Sequence, residues 1–214
     1  VKLQAQQALP EPKPVSAAGL PCVLRGTMIA TQRGEIPVED LQAGDRVVSR
    51  DRGLATVRWI GVLQVDSHLT SDEAPVKIPR GALGRNVPIR DLYVAPDQRL
   101  WLRGAAFKDL FASHEVLIPA RHLVGWHGIS QVTYVPDAEY HLVLFDQSEI
   151  IVADGLQVES VHPGGSLDAF ACTARDAMIA LFPELTHLAG AGGAPRRRLD
   201  RTEAQSAMAS HRRH

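Results

Sequence analysis

Between Cys22 and Glu159 the apolar residues fall into short runs separated by charged and turn residues. The clearest are Val47-Val48, Thr56 to Val65, Leu100 to Leu102, Val116 to Ile118, Gln131 to Val135, Leu142 to Phe145 and Ile150 to Val152. Val, Ile, Leu and Trp recur in them and Gly or Pro stands at most junctions, which is the pattern of short strands joined by tight turns. The runs follow one another too closely for helical crossovers, so an all-β body is expected rather than a βαβ design. After His162-Pro163-Gly164-Gly165 the period changes. Ser166 can cap a helix in which Leu167, Phe170, Ala171, Ala174, Met178 and Leu181 recur at steps of three and four, until Pro183 ends it. One C-terminal helix over 164–190, packed on the β body, is predicted.

The flanks read differently. Residues 1–20 are rich in Ala, Gln and Pro around Leu9-Pro10-Glu11-Pro12-Lys13-Pro14, a composition that favours extended linkers. Residues 191–214 carry Gly and Ala, then Arg196-Arg197-Arg198 and His211-Arg212-Arg213-His214, and are expected to form a disordered basic tail. The 214 residues suffice for one sizeable core with tails and not for a second full domain. A formal net charge of -1 gives no general attraction for nucleic acid or an anionic membrane. No apolar run reaches the roughly 20 residues of a membrane-crossing helix, and the first residues lack the apolar core of a signal peptide. Two cysteines, Cys22 and Cys172, make no disulfide framework, which leaves the redox compartment and the localisation open.

The chemistry centres on Cys22. It is followed by Gly26-Thr27, then by Gly34 and the pair Gly44-Asp45, all within the stretch from Cys22 to Asp45. This layout resembles the first block of Hint domains, the fold shared by inteins and the autoprocessing half of Hedgehog proteins. Val57-Arg58-Trp59-Ile60-Gly61, the segment Val76 to Leu83, Asp91-Leu92-Tyr93-Val94-Ala95-Pro96, Ile118-Pro119-Ala120-Arg121, Gly155-Leu156 and Glu159-Ser160 are similar, in that order, to the bacterial Hint branch of Hint_2 type. The resemblance runs from Cys22 to about Pro163, so residues 21–163 are expected to form a horseshoe-like Hint fold.

The resemblance implies that the Cys22 thiol attacks the Pro21 carbonyl, converting the amide to a thioester by an N-to-S acyl shift. A free thiol titrates near 8.5, so one group must take its proton and another must protonate the leaving nitrogen. Holding the thiol beside its own backbone carbonyl supplies an intramolecular advantage. The second Hint block is expected to bring a Thr or Ser, and a His three residues later, to the scissile amide; here those positions are Ala95 and Gln98. Glutamine donates hydrogen bonds but passes no proton, and a missing general acid or base costs about 100- to 10,000-fold in rate. The His-Asn pair that ends an intein corresponds to Glu159-Ser160, which removes asparagine cyclisation and full splicing. Ser148 stands where bacterial relatives are expected to carry a histidine. His141, after Tyr140, is the surviving candidate for proton transfer, and Thr27, Gln98 and His141 are the residues expected around the bond. Pro21 further restrains the geometry that precedes the shift.

Three functions follow from these residues. The first is a self-cleaving autoprocessing domain of attenuated activity, whose substrate is its own upstream polypeptide and which needs no cofactor and no metal. The second is a catalytically retired Hint fold used for binding or display. The third, a cysteine hydrolase acting on other molecules, requires a Cys-His motif that the sequence lacks. Against all three stands the plain reading of Cys22 as a small buried hydrophobe. His114, His122 and His127 fit no zinc spacing, Trp59, Trp101 and Trp126 read as core or rim anchors, and Asp45 reads as a turn residue beside Gly44. Oligomeric state is left open.

Overall fold

The computed structural model describes residues 19–64, 74–135, 138–161 and 196–211. The helix expected over 164–190, with Cys172 inside it, and the proline-rich residues 1–18 lie outside the described residues.

The described residues form the predicted all-β body. One sheet contains β1 (Val23–Leu24), β6 (Trp59–Gln64), β7 (Val76–Ile78), β8 (Leu92–Val94), β11 (Ser130–Gln131) and β12 (Glu139–Leu144), in the order β11-β7-β8-β1-β12-β6. The second contains β2 (Met28–Thr31), β3 (Gly34–Pro37), β4 (Arg46–Ser49), β5 (Gly53–Thr56), β9 (Arg99–Arg103), β10 (Glu115–Pro119), β13 (Ile150–Ala153), β14 (Leu156–Glu159) and β15 (Arg197–Arg198). Its order is β15-β10-β9-β14-β13-β2-β4-β5, with β3 added on β2. Nearly all pairings are antiparallel, as expected of hairpin-connected strands whose faces alternate. The run Gln131 to Val135 is strand only at its start, because it meets β7 for two residues.

The main core gathers Val23, Ile29, Val47, Ile78, Leu92, Val94, Leu100, Ile118, Val143 and Val158. A smaller cluster on the other face of β1 and β12 holds Leu20, Cys22, Leu24, Ala95, Ala138, Tyr140, Leu142, Leu144 and Val161. The alternation of strand side chains produces this division: Val23 and Val143 go inward, Leu24, Tyr140, Leu142 and Leu144 go the other way. The β13–β14 hairpin turns on Asp154 (φ 47) and Gly155 (φ 78), a pair suited to the positive φ angles of a tight hairpin turn. A Cβ on Gly155 would lie 2.8 Å from Ile89 Cγ2, so space as well as backbone conformation requires glycine there.

The structure corrects the expected disordered tail. Residues 197–198 add a parallel strand to β10, with Val116 opposite Arg197 and Leu117 opposite Arg198. A helix follows at Arg201–His211, here α2; the first helix, α1, is Ala105–Phe111, a short element that the runs of apolar residues did not reveal. Asp200 and Glu203 cap α2 reciprocally, each side chain accepting from the other's backbone N–H at 2.8 and 3.1 Å. Leu199, Ala204 and Ala207 are buried, and α2 rests on α1 and on the 3-10 helix Ala120–Leu123. The arginines read from sequence as a solvated end are anchors: Arg196 pairs with Asp51 at 2.5 Å and Glu115 at 3.0 Å, and Arg198 with Glu159 at 3.2 Å.

Candidate functional site

Cys22 immediately precedes β1. Its carbonyl accepts a hydrogen bond from the Ala95 N–H at 2.9 Å, and Val23 lies opposite Val94 and His141 in the two flanking strands. The thiol is therefore placed between the strand that ends at Ala95 and the strand that carries His141. It is fully buried, as are Leu20 and Ala95 beside it. Burial, helped by the Asp97 carboxylate, pushes the thiol well above its ordinary range, so at neutral pH it is the protonated form that packs there.

The residues expected around the bond are distributed differently. His141 is opposite Val23 and shares its sheet face, whereas Cys22, one residue earlier, faces the other side. The imidazole is nearly sealed, with Nε2 3.1 Å from Glu139 Oε1 and neither ring nitrogen in an aligned hydrogen bond among the described residues. Burial lowers its pKa, opposed by Glu139 and Glu39. Arg25 bridges those acids at 3.1 and 3.7 Å, so His141 belongs to a charged cluster on its own face of the sheet. Thr27 is also buried, and its hydroxyl donates to the Leu24 carbonyl at 2.6 Å, closing the turn that begins β2.

Gln98 serves the end of the domain. Its side-chain amide donates to the Glu159 carbonyl at 2.7 Å and to the Arg99 carbonyl at 3.1 Å. The Glu159 carboxylate, itself buried, is held by Arg99 at 2.7 Å and Arg198 at 3.2 Å, and accepts from the Ser148 hydroxyl at 3.4 Å. The two positions at which the resemblance implied histidines, 98 and 148, thus converge on Glu159, where neither residue present can carry a proton between heteroatoms as imidazole does. Ala95, where a hydroxyl was implied, packs in the Cys22 cluster and brings no polar side-chain atom to it.

Two sets of contacts near these positions were not anticipated. Asp97 accepts from the Gly19 N–H at 2.6 Å and from Arg121 Nη2 at 2.5 Å, fixing the chain just before Leu20, Pro21 and Cys22. Glu159 was read only as a replaced catalytic position, yet it joins β9, β14 and the C-terminal strand. The signal for Asp97 was present, since it lies between Pro96 and Gln98 in a block already singled out; its partner Gly19 was not legible from spacing. Among the described residues no cluster of His, Cys, Asp or Glu could hold a metal ion, and no helix is long and apolar enough to cross a membrane.

A buried cysteine heading β1, flanked by the strand ending at Ala95 and by β12, in two sheets of short strands, defines an all-β protein with a thiol at the head of its first strand. The Hint domain family model matches residues 21–165, well over half of the sequence, and the chain belongs to that family. Among solved structures it is similar to the bacterial intein-like domain from Clostridium thermocellum, with 13% identity over 66% of this chain and 99% of that one and a TM-score of 0.46. It is also similar to the AceL NrdHF class 3 split intein, with 12% identity over 66% and 98% of the two chains and a TM-score of 0.41. A DnaB intein from Synechocystis gives 15% identity over 65% and 99%, with a TM-score of 0.37. No curated protein matches the chain.

Proposed function

We propose that this Hint domain is an autoprocessing module in which the acyl shift at Pro21–Cys22 is attenuated, so that the bond persists in the folded chain. In that step the Cys22 sulfur bonds to the Pro21 carbonyl carbon, the carbon–nitrogen bond breaks, the thiol gives up its proton and the Cys22 nitrogen gains one. The substrate is the upstream polypeptide of the same chain. The observation that carries the reading is the surrounding of Cys22: a protonated thiol in an apolar cluster, with Ala95 beside it and the His141 imidazole on the opposite sheet face. The positioning is retained while the proton transfer is weakened, which corresponds to the rate loss of about 100- to 10,000-fold expected when an acid–base group is missing.

A second reading, a retired fold that only holds its upstream segment, is favoured by the Asp97 grip on the Gly19 N–H and the burial of Leu20 and Pro21. Gln98→His separates the two. Cleavage in dithiothreitol, read by intact mass, rises at least tenfold if the shift is attenuated, on the order of the contribution of one general acid–base group. Equal, undetectable cleavage in both proteins supports retention of the fold without its chemistry.

A further inference from the structure

A cavity of about 630 Å³ opens between the 3-10 helix Ala120–Leu123 and α2, lined by Pro96, Arg121, His122, Gln131, Arg201 and Gln205 together with Val124. Its size lies in the range of small-ligand sites. The chemistry of its wall is one-sided: two guanidinium groups, an imidazole and two carboxamides, all able to donate, and no carboxylate. The nearest acids are engaged at its margins. Asp97 is held by Gly19 and Arg121, and Asp200 accepts from the Glu203 N–H as the cap of α2. Arg201 makes no ion pair among the described residues, while Arg121 Nε and His122 Nδ1 are buried nitrogens with no hydrogen-bond partner there. Both of those atoms are sealed from solvent, so what the groove presents to a ligand is the unpaired Arg201 guanidinium, the exposed third of Arg121 and the carboxamides.

We propose that this groove is a binding site for a small oxyanion, a phosphate or a carboxylate, held by Arg201 and Arg121 with Gln205 and Gln131 at its sides. Arg121 is shared: the guanidinium that would meet the anion is the one now on Asp97, and Asp97 fixes the Gly19 N–H. Occupancy of the groove therefore draws Arg121 away from Asp97 and loosens the anchor three residues before Cys22. The groove is present whether or not the Pro21–Cys22 bond is cleaved.

The test is titration of the full chain with inorganic phosphate at constant ionic strength, chloride being the control, followed by amide NMR shifts of Arg121, Arg201, Gln205 and Gly19. A saturable curve is expected for phosphate and not for chloride, with Gly19 shifting along the same curve as the groove residues. Loss of one charge-assisted contact in Arg201→Gln weakens binding about 10-fold or more. Gln205→Glu, which puts a carboxylate into the groove while leaving the Asp97–Arg121 pair in place, abolishes it. Linear shifts shared by phosphate and chloride, or phosphate affinity unchanged in Arg201→Gln and Gln205→Glu, would overturn the site. Saturable binding with a stationary Gly19 resonance would overturn the coupling to the upstream anchor.

Discussion

Replacing Cys22 by Ser and by Ala distinguishes a sealed thiol from one poised among polar groups. Cys22 is fully buried in a cluster of Leu, Ala, Tyr and Val side chains, and its sulfur is there as a hydrophobe. Cys22→Ala removes one heavy atom and leaves a small cavity, a cost of about 1–2 kcal/mol by analogy with other single-group core deletions. Cys22→Ser keeps the shape but substitutes a hydroxyl, whose burial without a good partner costs about 1–3 kcal/mol, in addition to the lost sulfur transfer energy. Serine is therefore expected to be the more destabilising change, by about 1–2 kcal/mol over alanine. Urea unfolding at neutral pH, with equal m-values in the three proteins, reads the difference directly. Serine as stable as alanine, or more stable, would refute the apolar setting; it would mean that position 22 is furnished with acceptors of the kind a working nucleophile needs.

Two further predictions concern buried acids. Burial raises the Asp154 carboxyl from the ordinary 3.8 to about 6, against the pull of the Met28 N–H and of Arg90. The folded chain then binds more protons than the unfolded one between those values, so this residue's contribution to stability is full below about pH 4 and is lost as pH rises through about 6. Asp154→Asn, which keeps a residue tolerant of positive φ, removes that loss and gains on the order of 2 kcal/mol relative to the parent between pH 4 and 7.5, measured by urea unfolding at both ends. At Glu159, Arg99→Gln costs about 2–3 kcal/mol because it strips the closer and less exposed cation from a buried carboxylate. Arg198→Gln costs under about 1 kcal/mol, since Arg198 is 36% exposed and its pairing is solvent-screened. Equal costs for the two would show that burial does not set the strength of this network.

The sheet architecture was legible because short alternating runs broken by Gly and Pro leave little else for the chain to form, and Cys22 was legible because it heads that text. The C-terminal segment was misread for a physical reason. Arg196 and Arg198 look solvated until Asp51, Glu115 and Glu159 are brought to them from distant parts of the chain, while Arg197 meets Glu203 in the helix that follows. The cap Asp200-Arg201-Thr202-Glu203 was a local signal, but the helix behind it buries alanines, whose apolar stripe is faint. Which face His141 takes is set by strand register, which no spacing in the sequence prints: its pairing with Val23 sends its imidazole and the Cys22 thiol to opposite faces of the sheet. The sequence shows that Gln98 can hydrogen-bond and cannot shuttle a proton; its partner, the Glu159 carbonyl, is fixed by tertiary structure alone.

The most direct test of attenuated autoprocessing is intact mass of the purified chain before and after incubation with dithiothreitol, with Cys22→Ala as control. A thioester is intercepted by thiol, so the diagnostic product is a chain beginning at Cys22. The account predicts mostly full-length protein at the outset and slow loss of residues 1–21 that requires Cys22. Full-length mass throughout in both proteins, or equal cleavage in both, would contradict it.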